Sequence, residues 1–252
     1  IIHLRTKISL GMFLISVLFY VQIILHTVLY FFILSFYLFP PYPFVSAEKN
    51  AKRVRKAIVI YGRWILTYSM FPFVKIKYLA NPKTSSPASI IVSNHRSASD
   101  AFLMALFCRK CVMVVSDWPF RIPILGKVAK AGGYIRISTL SLEELTLKVE
   151  EYIKNDINVI CFPEGTRSGN KELGQFHSMM FRVALKVKCP ITPLCITGNE
   201  NVPNKQLMIK KGIIKFKPLD AVLYNDYKNM SPFKLKQHIR NIMLEETKRM
   251  DD

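Results

Sequence analysis

His95 and Asp100 stand five residues apart in the run Ser93-Asn94-His95-Arg96-Ser97-Ala98-Ser99-Asp100. The apolar segment Ile90-Ile91-Val92 leads into this polar run, and Ala101-Phe102-Leu103-Met104-Ala105-Leu106-Phe107 leads out of it. A short buried strand therefore ends at a polar turn, and a helix begins there. If the turn folds back on the helix start, the Asp100 carboxylate reaches one imidazole nitrogen of His95 and leaves the other facing outward. A histidine held in this way is a general base: it takes a proton while the carboxylate fixes its tautomer and offsets the imidazolium charge. Ser97-x-x-Asp100 also has the form of a helix-capping pair, with an acid where the helix dipole favours one. The spacing alone admits either role.

A second polar turn, Pro163-Glu164-Gly165-Thr166-Arg167-Ser168, follows the buried-strand pattern Ile157 to Phe162. Parallel strands would put it on the same sheet edge as His95. Gly165 lets backbone approach a ligand closely. Arg167 offers a planar fork suited to phosphate oxygens, and Glu164 is placed to orient that fork or a substrate hydroxyl. Taken alone, Glu-Gly-Thr-Arg is equally a surface turn with a local ion pair.

The remaining pattern supplies the elements that must hold these turns. Val74 to Tyr78 alternates like an edge strand, and Asn81 to Pro87 is a polar loop. Val112 to Val115 and Tyr134 to Ile137 are strand-like, with a short helix between them over Ile122 to Lys130, stopped by Gly132-Gly133. Ser141-Leu142-Glu143-Glu144 is a capping box that opens a helix. A helix over Ser178 to Lys188 precedes the strand Ile191 to Ile196. Met208 to Phe216 reads as a hairpin, and Ser231-Pro232 starts a last helix. Strands alternating with helices indicate a layered α/β domain.

From Ile8 to Ala47 there is no Asp, Glu, Lys or Arg, which marks 1–47 as a hydrophobic membrane anchor. One tilted span and a helix pair dipping into one leaflet both fit its length. Beyond Pro40-Pro41-Tyr42-Pro43, residues 48–72 carry Lys49, Lys52, Arg53, Arg55 and Lys56 beside Val54, Ile58, Tyr61, Ile65 and Tyr68 at helical spacing. This segment reads as a basic amphipathic helix on an anionic leaflet, with the following domain, 73–252, on the cytoplasmic side. The chain holds 36 Lys and Arg against 17 Asp and Glu among its 252 residues. Because the basic cluster sits beside the apolar segment, the excess points to lipid headgroups rather than nucleic acid. The five cysteines have no framework or metal-ligand spacing, so Cys108-Arg-Lys-Cys111 reads as neither a zinc nor a redox site.

Asn-His-x4-Asp followed some sixty residues later by Phe-Pro-Glu-Gly-Thr-Arg-Ser resembles the glycerolipid acyltransferase family, typified by 1-acyl-sn-glycerol-3-phosphate acyltransferases. The resemblance runs from about Val74 to Gly198. It implies that His95 and Asp100 are the catalytic pair, and that Glu164, Gly165, Thr166 and Arg167 bind the acceptor. Cys189-Pro190-Ile191-Thr192-Pro193-Leu194 looks like the family's strand against the acyl-chain groove. Between the two turns the family commonly has Gly-x-x-x-Ile-Asp-Arg; here Ser138 falls where that Arg would be, and Gln175-Phe176-His177-Ser178 also departs from the pattern. Arg136, Lys130 and Arg96 are the remaining candidates for holding an acceptor phosphate. The implied reaction joins a lysophospholipid acceptor to an acyl group from an acyl-CoA or acyl-carrier-protein thioester, with no metal or other cofactor. Acyl carrier protein and anionic membrane lipids are the expected partners. A different lysolipid acceptor, or a non-catalytic binder of anionic lipid, are the competing readings.

Overall fold

The computed structural model describes residues 10–38, 45–79 and 87–252. The Pro40-to-Pro43 break and most of the Asn81–Pro87 loop lie outside the described residues. In chain order the elements are α1 (Leu10–Leu38), α2 (Ala47–Trp64), β1 (Val74–Tyr78), β2 (Ile90–Ser93), α3 (Asp100–Phe107), β3 (Cys111–Val115), α4 (Trp118–Arg121), α5 (Pro123–Ala131), β4 (Ile135–Arg136), α6 (Leu142–Lys154), β5 (Asn158–Cys161), α7 (Met179–Val187), β6 (Ile191–Thr197), β7 (Gly212–Pro218), α8 (Tyr224–Tyr227) and α9 (Pro232–Asp251).

Seven strands form one sheet in the order β1-β7-β6-β2-β5-β3-β4. β4, β3, β5, β2 and β6 run parallel, and β7 turns antiparallel to β6. The central strands read as unbroken apolar runs because helices cover both faces. Ile90, Val92, Val159 and Cys161 face a core closed by α6, α7 and α9. Ile91, Ile160, Leu194 and Ile196 face one closed by α1, α2 and α3. The Ser141 capping box is formed, with Ser141 Oγ and the Glu144 carboxylate each accepting the other's backbone N–H. β1 is an edge strand, as its alternation indicates.

The expected hairpin over Met208–Phe216 is absent. β7 is one unbroken strand between β6 and β1, antiparallel to β6 across the 198–211 connection and parallel to the distant β1. Ile209 instead packs in the α1-side core and donates its N–H to Ser16 Oγ at 2.9 Å.

The amphipathic helix is also placed differently. The apolar side of α2, with Val54, Ala57 and Val59 buried, packs on α3 and α1, so protein occupies the face expected to meet lipid. The exposed apolar surface belongs to α1, whose Leu14, Leu18, Leu25, Val28, Phe32 and Phe36 are all more than half exposed. Its other side carries a polar stripe bonded to the body. Tyr20 donates to Leu207 O at 2.8 Å, Gln22 to Tyr68 O at 2.6 Å, and Tyr30 to Ala57 O at 2.6 Å; His26 Nδ1 meets Ser69 Oγ at 2.7 Å. The residues from Leu10 to Phe36 are long and apolar enough to cross a bilayer.

Candidate active site

β2, β5 and β6 run side by side and in the same direction, so the turns after them meet on one edge of the sheet. His95 follows β2, Glu164 follows β5 and Asn199 follows β6. The imidazole of His95 shares Nδ1 with Asp100 Oδ2 at 2.7 Å, and its side chain is 21% exposed while that of Asp100 is fully buried. Phe162 stacks on the imidazole with centroids 4.5 Å apart and planes 26° off parallel. Asp100 Oδ2 also accepts the Ser97 N–H at 2.9 Å, and its Oδ1 accepts from Asn199 Nδ2. One carboxylate oxygen thus closes the turn on the Ser97 N–H and meets the imidazole, while Ser97 Oγ bonds the Val202 and Pro203 carbonyls instead of capping α3.

Glu164 occupies a different place from the one expected. It is 8% exposed, with Oε1 accepting the His95 N–H at 2.7 Å and Oε2 accepting the Gly174 N–H at 2.9 Å. Each oxygen accepts a backbone N–H, so Glu164 ties the His95 backbone to the 174 loop. Burial pushes its carboxyl above the ordinary value, against the two backbone N–H bonds that pull it down.

Gly165, Thr166 and Arg167 are exposed on the turn beside His95. Gly165 has φ +72°, a conformation glycine adopts without cost, and the His177 ring lies 3.0 Å from where a Cβ would be. The space thought open to a ligand is filled by His177. The Ser168 N–H donates to His95 O at 2.8 Å, which ties this turn to the catalytic one.

Of the three further cations, Arg96 and Arg136 are paired with carboxylates, and Lys130 lies away from His95. Arg96 is 2% exposed; it pairs with Asp251 through bonds of 2.6 and 2.9 Å and donates to Lys171 O at 2.7 Å. Nothing of its guanidinium is left for a substrate, and its work is to hold the His95 turn to the end of α9. Arg136 donates to Asp117 Oδ1 at 2.7 Å, an oxygen Ser138 also uses. These bonds, that of Arg136 first, hold the exposed Asp117 carboxyl below its ordinary range. β4 stands three strand spacings from β2, about 14 Å, so Arg136 does not adjoin His95. Lys130 lies in the last turn of α5, which leads into the start of β4, away from the carboxyl edge. It lines an opening with Val45, Ala47, Asn50 and Lys127.

Asn199, Ser97, Phe162 and Gly174 surround the pair; the sequence marked Ser97 only as a capping residue and Phe162 only as a strand end, and gave no signal for Asn199 or Gly174. Gly198-Asn199-Glu200-Asn201 reads as an ordinary turn. Among the described residues, no three His, Cys, Asp or Glu side chains converge as metal ligands would.

A mostly parallel α/β sheet thus carries a hydrogen-bonded histidine–carboxylate pair at its carboxyl edge, with an exposed Gly-Thr-Arg turn beside it. Residues 74–197 match the acyltransferase family model. A chloroplastic 1-acyl-sn-glycerol-3-phosphate acyltransferase of Brassica napus is 29% identical over 139 residues, 53% of this chain and 40% of that protein. The Homo sapiens 1-acyl-sn-glycerol-3-phosphate acyltransferase beta is 23% identical over 71% of this chain and 66% of its own length. The chain thus spans less than half of the plant relative. The fold is shared with the crystal structure of the 1-acyl-sn-glycerophosphate acyltransferase PlsC from Thermotoga maritima, at a TM-score of 0.69 and 20% identity over 92% of this chain and 98% of that one.

Proposed function

We propose that this chain transfers an acyl group from an acyl thioester to the free hydroxyl of 1-acyl-sn-glycerol-3-phosphate, forming phosphatidic acid at a membrane surface. The observation that carries the reading is the buried Asp100 carboxylate 2.7 Å from Nδ1 of the partly exposed His95. An alcohol is a weak nucleophile at neutral pH. Nε2 of His95 takes the hydroxyl proton as the oxygen attacks the thioester carbonyl, a step worth about 10²–10⁴-fold. Asp100 holds the ring in the tautomer that leaves Nε2 free and offsets the imidazolium charge. As the new C–O bond forms, the C–S bond breaks, and the thiolate takes the proton back from His95. No acyl-enzyme is required. The five cysteines are buried, and burial pushes the Cys161 and Cys195 thiols up to about 12, which keeps them from acting as nucleophiles. Arg167 binds the acceptor phosphate from the exposed turn.

The same reading gives α1 its role. Its polar stripe is bonded to the body from Ser16 to Tyr30, about 21 Å of helix, so it does not stand free of the domain. The outer face enters the leaflet, and the exposed Lys49, Lys52 and Lys56 at the start of α2 favour the cytoplasmic, anionic side.

The test is transfer from a labelled acyl thioester, as the CoA or acyl-carrier-protein form, to a panel of lysolipids in mixed micelles. Product on lysophosphatidate that is lost in His95→Ala supports the reading. Product on another lysolipid only would keep the mechanism and change the acceptor. No product from folded protein with either donor would leave a lipid-binding role.

A further inference from the structure

With Arg96 and Arg136 paired to carboxylates and Lys130 at the far end of α5, none of these is a companion to Arg167 for a phosphate that carries up to two charges. We propose that Lys205, on the loop between β6 and β7, is that companion and clasps the acceptor phosphate from the side opposite Arg167. This rests on the acceptor reading above. Lys205 lies beyond residue 197, where the segment matched by the family model ends.

The placement of the side chain carries the inference. The Lys205 stem lies across Gly169: a Cβ on that glycine would fall 2.7 Å from Lys205 Cγ and 3.0 Å from Cδ, with Cε closer still. Gly169 is two residues past Arg167, so their Cα atoms are at most about 7 Å apart. Gly169 has φ +65° and donates its N–H to Arg96 O at 3.1 Å, which locks the turn beneath the lysine to the catalytic turn. Lys205 is exposed, and no ion pair engages it among the described residues.

The loop that presents Lys205 is tied down on both sides. Ser97 Oγ bonds Val202 O at 2.7 Å and Pro203 O at 3.0 Å, and Asn199 donates to Asp100, so the loop begins on the catalytic pair's own supports. Asn204 Oδ1 accepts the N–H groups of Gln206 and Met208, each at 2.9 Å, which shapes the bend around Lys205. On the other side, Tyr20 of α1 donates to Leu207 O at 2.8 Å, and Leu207 is exposed next to the apolar helix. The loop thus joins the lipid-facing helix to the Arg167 turn. A lysolipid whose chain lies along α1 would bring its headgroup past Lys205 on the way to His95. A lysine suits this place: it supplies a flexible point charge, while Arg167 supplies the planar fork.

The experiment measures KM for lysophosphatidate and for the acyl thioester separately, in wild type, Lys205→Ala, Lys205→Glu and Lys205→Arg. Monoacylglycerol serves as the acceptor without a phosphate. Losing one charge-assisted hydrogen bond should raise KM for lysophosphatidate about tenfold in Lys205→Ala. Lys205→Glu should raise it further and Lys205→Arg should restore it, with kcat, the thioester KM and monoacylglycerol transfer unchanged. An unmoved lysophosphatidate KM in both Lys205→Ala and Lys205→Glu would overturn the assignment, as would an equal change on monoacylglycerol. Wild-type protein inactive on lysophosphatidate would overturn the acceptor reading, and this inference with it.

Discussion

The smallest scale at which this protein can be argued is the Asp100 carboxylate, which has four possible acceptor positions and uses three. Its bonds to His95, Ser97 and Asn199 are made inside the protein, where a polar group without a partner costs about 1–3 kcal/mol. Asn199→Leu should therefore lower stability by about that amount in urea melts. It should also cut kcat, with little change in KM, because the freed carboxylate no longer fixes the imidazole. His95→Ala should cost about 10²–10⁴-fold in kcat, and it should also lower stability by about 1–3 kcal/mol because it takes a partner from the buried Asp100. Glu164 tests the other half of the site. Glu164→Gln turns one acceptor into a donor facing a backbone N–H, and it also removes the ionisation of this buried group. The raised pKa of Glu164 means the folded state binds its proton more tightly than the unfolded chain does. Its contribution is full below the ordinary carboxylate value and falls as pH rises through the raised one. Urea melts from about pH 4 to 7 should show wild type losing stability relative to Glu164→Gln as pH rises.

At the scale of elements, α9 gathers the two polar turns. Asp251 near its end grips Arg96, and Arg240 in its middle donates to Leu173 O at 2.7 Å and Gly174 O at 2.8 Å. Gly174 holds Glu164, and Glu164 holds the backbone of His95. The ring is closed: helix, loop, carboxylate, histidine, arginine, helix. Arg96 is buried and charged, so removing Asp251 leaves only Glu200, 3.4 Å away, to face it. Asp251→Ala should cost about 3 kcal/mol by urea denaturation. If Arg96 bound substrate instead, the same variant would leave the melt in place and alter KM. Only the fold makes this residue legible, because Arg96 and Asp251 are 155 positions apart in the chain.

For the whole molecule, the dominant feature is an apolar face on one helix of an otherwise charged body. A contiguous patch of Leu, Val and Phe along α1 far exceeds what single exposed residues on a soluble surface would form. Replacing Leu18 and Leu25 with Asp should abolish sedimentation with anionic vesicles while leaving the melt unchanged, because both side chains point away from the body. Raising salt should weaken the contribution of Lys49, Lys52 and Lys56 and leave that of α1 intact.

The sequence by itself determined the strands β1 to β6, the two polar turns and the apolar N-terminal helix. Each is written in local pattern: buried runs of four to six residues, a polar break at their ends, a capping box, a charge-free stretch. It also carried the pairing of His95 with Asp100, because five residues across a strand-to-helix turn leave little room for another arrangement. Tertiary structure alone decided which polar side chains are spent on holding the fold. Glu164 and Arg96 look like ligands in the sequence, yet each is bonded to backbone or to a carboxylate brought from another part of the chain. Asn199 and Lys205 look like loop residues and arrive at the site only because β6 runs beside β2. The physical reason is that a buried polar group must be satisfied by whatever the fold places next to it, and strand order, which sets those neighbours, is not written in any local stretch.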